Sequence, residues 1–277
     1  MQRRGFIALA SSAAAAGCLG GSSNGDDASN GNADTGDETE SNTAETEDSK
    51  YPPGIDETGV VDPEALVLAH VTGFDMRSYE YSLTVEENGE AVLEYQYHVN
   101  APADRALVSR TERTDGDATT TETYADGDGA YARTDDGNGL EYETVDDRTL
   151  IERIDVPNER AADHVPRLRY TLDGWDQITE QRTAQLGCRN NPQEIPEELD
   201  VADLEVTAVS EAGTDAGLTE VTDGRMLVDD EGRIREFSAS VALEDDGEPL
   251  ERTVRWEYSE VGQAKVTEPG WLEDAEV

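Results

Sequence analysis

The chain has 277 residues, with 64 Asp and Glu against 21 Lys and Arg, for a formal net charge of −43. Two of its basic residues are lysines, Lys50 and Lys265, and no basic stripe is present to displace counterions from phosphates, which excludes nucleic acid as a partner. A surface this acidic repels itself at low ionic strength and suits molar salt, where the Debye length falls to about 3 Å.

The first twenty residues carry an address. Arg3-Arg4-Gly5-Phe6-Ile7 matches a twin-arginine export signal, and a short apolar run from Phe6 to Ala16 follows it. That run is shorter than the roughly 20 apolar residues a membrane span needs. Ala15-Ala16-Gly17-Cys18 reads as a lipobox, because the lipid-modifying enzyme admits small residues before the cysteine. Residues 1–17 are therefore expected to be removed as a signal peptide. The Cys18 sulfur would then carry a lipid that holds the protein on the extracellular face of the cell membrane.

Once Cys18 is lipidated, Cys188 has no partner for an internal disulfide. It reads as a passive half-buried thiol or as a reactive one beside Arg189. Residues 18–57 are rich in Gly, Ser, Asn, Asp and Glu with little that is apolar. Such a segment cannot bury enough surface to offset its ordering entropy, so an acidic disordered linker with a coil dimension of roughly 35 Å is expected.

The folded domain is expected over residues 58–277. Asp62 is placed to cap a helix starting at Pro63, with Val61 stapling to Leu66 and Gly73 as the stop. Ala65 to Ala69 is apolar on every side, which predicts a helix covered on most sides and lying inside a curved sheet. Ser78 to Val85 and Ala91 to Val99 alternate apolar and polar residues about Asn88-Gly89, the pattern of a tight hairpin. Tyr79, Tyr81, Leu83 and Val85 share one face of the first strand, and Leu93, Tyr95, Tyr97 and Val99 one face of the second.

Further strands are expected at 106–114, 118–124, 130–134 and 140–144, then a helix at 158–165. Residues 168–187 fit helix and strand equally. Strands resume at 203–209, 218–222, 225–228, 234–243 and 250–258. The sum is one α+β domain with ten or eleven antiparallel strands and two or three helices.

The order of elements includes Tyr124-Ala-Asp-Gly-Asp-Gly-Ala-Tyr-Ala-Arg133, Val228-Asp-Asp-Glu-Gly-Arg-Ile-Arg235 and Pro269-Gly-Trp-Leu272. From Val61 to Trp271 it resembles the haloarchaeal surface lipoproteins that are similar to the LolA/LolB and LppX/LprG carriers. The resemblance implies a half-open β barrel wrapped around helices, with an inner face able to hold lipid acyl chains. It carries over no ligand-binding residue.

No nucleophile elbow, zinc helix motif, phosphate loop or dinucleotide fingerprint is present, which argues against an enzyme and against a cofactor. His70, His98 and His164 fall on three separate elements and read as ordinary face residues rather than metal ligands. Asp126-Gly-Asp-Gly129 starts like a calcium loop but has Ala130 and Gly137 where carboxylates are required. The candidate ligand wall is Leu66, Tyr79, Tyr81, Leu83, Tyr95 and Tyr97. These residues suit either a packed core or an amphipathic cavity lined by rings with polar tips. A monomer is expected that binds an apolar ligand such as lipid, or alternatively a structural or interaction module of the cell envelope with a filled core.

Overall fold

The computed structural model describes residues 50–74, 77–127, 129–145, 156–185, 192–245 and 248–275, without the side chains of 156, 181–185, 192–195 and 245. Arg3, Arg4, Ala15, Ala16, Gly17, Cys18, Cys188 and all but the end of the acidic linker lie outside the described residues.

Order begins before residue 58. The short strands β1 (Ile55–Asp56) and β2 (Gly59–Val60) pair with each other. Ile55 is buried, and the Gly54 carbonyl accepts from the N–H groups of both Val61 and Asp62. Helix α1 (Pro63–Phe74) follows, and its Ala65 N–H donates to Asp62 Oδ1 at 3.0 Å, as the capping pattern predicts. The cover on most sides expected for this helix is not found. Leu66, His70 and Phe74, spaced by four, make the one buried stripe, while Leu68 is 65% exposed and Val61 58% exposed. Gly73 lies inside the helix, one residue before its end at Phe74, and a Cβ there would meet the Cγ of Arg233 at 2.5 Å.

The predicted hairpin is β3 (Ser78–Glu87) with β4 (Glu90–Asn100), turned at Asn88 (φ 50°) and Gly89 (φ 81°). The meander continues through β5 (Arg105–Thr114), β6 (Asp117–Asp126), β7 (Gly129–Asp135) and β8 (Leu140–Val145). Helix α2 (Val156–His164) then leads into β9 (Leu168–Gln185) and β10 (Pro192–Val209). A single helical turn, α3 (Glu211–Asp215), precedes β11 (Leu218–Asp229), β12 (Ile234–Asp245) and β13 (Glu248–Ser259), and α4 (Leu272–Ala275) ends the described chain.

Eleven strands form one antiparallel sheet in the order β8-β7-β6-β5-β4-β3-β13-β12-β11-β10-β9. The chain starts at the middle, runs out to the β8 edge, crosses through α2 to the β9 edge and returns until β13 pairs with β3. The two edges do not pair, so the sheet is not closed. The β9 edge is partly shielded where the Leu172 N–H donates to the Thr58 carbonyl.

The ambiguous stretch from Leu168 is strand, and its partner β10 starts eleven residues before the expected Asp203. Residues 192–200 of β10 pair with β9 alone, since β10 meets β11 only over Val201 to Glu205. Pro192 and Pro196 are tolerated in this two-stranded arm because their missing N–H groups face no second strand.

One apolar core joins Leu66 and Phe74 of α1, Ala161 of α2 and Val165 just beyond it to side chains from the strands of both halves of the sheet. A smaller cluster lies elsewhere, where Val266, Trp271 and Leu272 of the C-terminal segment pack on Tyr124. The Arg133 guanidinium sits 5.7 Å from the Trp271 ring centre.

Candidate functional site

Antiparallel register lays side chains of one face in rows across the strands. One row runs Tyr258, Tyr81, Tyr97, Val108, and the next runs Phe237, Trp256, Leu83, Tyr95. Tyr81 lies 4.8 Å from Tyr258 and 5.5 Å from Tyr97 between ring centres, and Phe237 stacks on Trp256 at 3.9 Å. From the helix side, Phe74 stacks on Tyr258 at 4.1 Å and meets Tyr79 edge-on at 5.5 Å. Each such pair contributes about 0.5–1.5 kcal/mol beyond its area burial. The six residues expected to form a ligand wall, Leu66, Tyr79, Tyr81, Leu83, Tyr95 and Tyr97, thus belong to one core. Five of them are buried, and Tyr95, with its neighbour Leu93, is half-buried.

The polar tips on this face divide into two groups. His70 is satisfied: its Nδ1 accepts the Ile234 N–H at 3.0 Å and its Nε2 lies 3.3 Å from the Tyr258 hydroxyl. Burial pulls its pKa down to about 3, so the ring is neutral. By contrast, the hydroxyls of Tyr81, Tyr97 and Tyr170, Trp256 Nε1 and His164 Nε2 are buried without a hydrogen-bond partner. Burial raises the pKa of all three of these phenols well above the ordinary value, which keeps them protonated. A buried polar group left unpaired costs about 1–3 kcal/mol.

Tyr97→Phe removes only the unpaired oxygen. It is therefore expected to leave stability unchanged or raise it by about 1 kcal/mol in urea unfolding at molar salt. A loss of more than about 1 kcal/mol would mean that the hydroxyl has a partner inside the protein.

The sequence did not point to a second cluster. Asp229, Arg233 and Arg235 are buried at the β11–β12 turn. Asp229 Oδ1 accepts the backbone N–H groups of Glu231 and Arg233, while Oδ2 accepts Arg233 Nε at 2.7 Å and Arg235 Nη1 at 3.4 Å. Burial pushes the Asp229 carboxyl up in pKa and the adjacent Arg233 charge opposes it. Arg233 also reaches Glu231 at 2.8 Å, and Glu231 pairs with Arg77 at 3.1 Å.

Arg235 pairs with Glu180 of β9. In the sheet those strands are three spacings apart, roughly 14 Å at 4.7–4.9 Å each. The contact therefore requires the β9–β10 arm to bend back toward β12. The one hint in sequence was a pair of arginines flanking Ile234, which placed charge where an ordinary strand would bury apolar groups.

Three clefts border this region. One of about 160 Å³ lies among Thr179, Glu180, Arg235, Glu257 and Tyr258. One of about 610 Å³ touches Arg77, Glu180, Glu231 and Arg233, and one of about 590 Å³ touches Lys50, Trp175, Leu199 and Asp230. The wall of the 610 Å³ cleft is mainly polar and that of the 590 Å³ cleft mainly apolar, and no residue of the expected ligand wall borders any of the three.

The histidines are dispersed. His70 is on α1, His98 on β4 beside Glu80 at 3.0 Å, and His164 at the end of α2 against Trp256. Among the described residues no group of three or more His, Cys, Asp or Glu is placed to hold a metal ion. No described helix is long and apolar enough to cross a membrane. Compared with known proteins, the chain matches no family model, and no curated protein is significantly similar to it.

Proposed function

We propose that this protein is a non-catalytic lipoprotein, held on the extracellular face of the membrane through Cys18, that binds an apolar ligand such as a lipid chain on the aromatic face of its sheet. In this reading the open sheet acts as a half barrel around α1 and α2, as in the LolA/LolB and LppX/LprG carriers that the order of elements resembles. The observation that carries it is the course of the Phe237, Trp256, Leu83, Tyr95 row. It begins in the buried core and reaches half-buried Tyr95 beside half-buried Leu93, an apolar track leading from the surface to the helices.

The packed state of the same face favours a second reading, an interaction module of the cell envelope with a filled core. The Phe237–Trp256 and Phe74–Tyr258 stacks leave no gap between their rings.

Organic extraction of the protein purified from membranes, followed by mass spectrometry, separates the two. A lipid present near one equivalent beyond the anchor is expected from the first reading, and its complete absence from repeated preparations would leave the second. The anchor has its own check. Cys18→Ser is expected to release the protein into the medium or leave it unprocessed, and a processed variant that still partitions with membranes would overturn the anchor.

A further inference from the structure

We propose that the Tyr81 and Tyr97 hydroxyls, the Trp256 indole N–H and the Arg160 guanidinium form a site for the oxyanion head, phosphate or carboxylate, of an amphiphilic ligand. The inference rests on the apolar-ligand reading above and gives that ligand a chemistry. Three observations converge on it.

The first is the set of unpaired groups. Tyr81, Tyr97 and Trp256 are 2%, 0% and 2% exposed, and their polar atoms have no partner. Tyr81 and Tyr97 are directly paired across β3 and β4, and Trp256 is paired with Leu83, two residues from Tyr81, so it is the diagonal neighbour of Tyr81 at roughly 7–8 Å. All three can donate, and what they lack is an acceptor.

The second is charge. Arg160 acts electrostatically on both phenols, favouring their ionised form against the larger effect of burial. In a chain with 64 acidic residues, many arginines sit on carboxylates, as Arg133 does on Glu122 and Arg252 on Glu87. Arg160 has neither a hydrogen bond nor an ion pair among the described residues. The third is the neighbourhood of His164, one helical turn after Arg160. Its Nε2 is also unpaired, and the charges of Arg160, Arg167 and Arg252 all act on it. Arg167 and Arg252 carry their own carboxylates, Asp163 and Glu87, which leaves Arg160 as the charge beside these idle donors and the apolar face, an arrangement that matches an anion on an apolar tail.

The test uses the full chain with Cys18→Ser, so that no detergent competes, in molar potassium chloride. Binding of dodecyl phosphate, dodecanol and inorganic phosphate is measured by calorimetry and by tryptophan fluorescence. Dodecyl phosphate is expected to bind at least tenfold more tightly than dodecanol, and inorganic phosphate far more weakly than either. Arg160→Gln should remove most of that preference while leaving dodecanol affinity unchanged, and Tyr97→Phe should reduce it in part.

Equal affinity for dodecyl phosphate and dodecanol would overturn the anion site and leave the apolar-ligand reading intact. Failure of both to bind would overturn the apolar-ligand reading and this site with it. Inorganic phosphate binding as tightly as dodecyl phosphate would overturn the amphiphile in favour of a free anion. A preference that survives Arg160→Gln would overturn the role of Arg160.

Discussion

Asp229→Ala is expected to destabilise the protein by about 3–5 kcal/mol, the largest single-residue effect in the structure. The carboxylate holds two guanidinium groups, of Arg233 and Arg235, in an environment where both arginines are buried. Removing it leaves two cations without their shared counter-ion, and it also strands the N–H groups of Glu231 and Arg233 that donate to Oδ1. The arginines do not depart easily. The stem of Arg233 lies over Gly73 of α1, so the turn, the helix and the β9–β10 arm that Glu180 ties to Arg235 share one cluster.

Asp229→Asn keeps an acceptor for the two N–H groups and should cost less than the alanine variant. Urea unfolding in molar salt measures both, where exposed ion pairs are screened and the buried ones are not. A loss below about 1 kcal/mol for Asp229→Ala would show that the cluster is hydrated and open in solution. Because the arginines and the aspartate act as a unit, Asp229→Ala combined with Arg233→Met should recover part of the loss, since the uncompensated charge goes with the second substitution.

The second large effect is acidification. His70 has an ordinary pKa near 6.5, and burial lowers it to about 3 in the folded protein. Between those values the unfolded chain binds a proton that the folded one does not, so stability rises with pH across the window. The contribution is fully present above about pH 6.5 and is lost as pH falls toward 3. Burial lowers the pKa of His164 to about 3 as well, so each of the two histidines contributes a slope of up to about 1.4 kcal/mol per pH unit, or roughly 2 kcal/mol each between pH 6.5 and 5.

The structural cause is specific. Protonation of Nδ1 turns the acceptor for the Ile234 N–H into a second donor facing it. Staying above pH 5 keeps the experiment clear of most carboxylate titration. His70→Asn retains an acceptor at that position and does not titrate, so it should lower stability at pH 7 yet reduce the slope by about half, His164 supplying the rest. Equal slopes for the parent and the variant, measured by urea unfolding at several pH values, would remove His70 as the source.

Some of this was open to inspection before any coordinates. The hairpin about Asn88-Gly89 and the face shared by Tyr79, Tyr81, Leu83 and Val85 follow from alternation and turn chemistry, which act between near neighbours. The Asp62 cap and the helix after it are local in the same way. Gly73 shows where local reasoning fails. It suits a helix stop by sequence, yet its place is decided by an arginine 160 positions away whose stem occupies the space a Cβ would need. The early part of β10 was invisible for a related reason. Pro192 and Pro196 argue against a strand until pairing to β9 alone makes their missing donors harmless.

By itself, then, the sequence determined the acidic character and most of the periodic elements, properties written in composition or in neighbouring residues. The tertiary structure alone decided which polar groups become partners. Asp229 falls between two expected strands and is buried between two arginines, whereas Tyr81 and Tyr97 suit a packed core or a cavity wall by sequence and are left with idle hydroxyls in the fold. Burial and long-range register set the worth of a charge or a hydroxyl, and neither is encoded in any short stretch of chain.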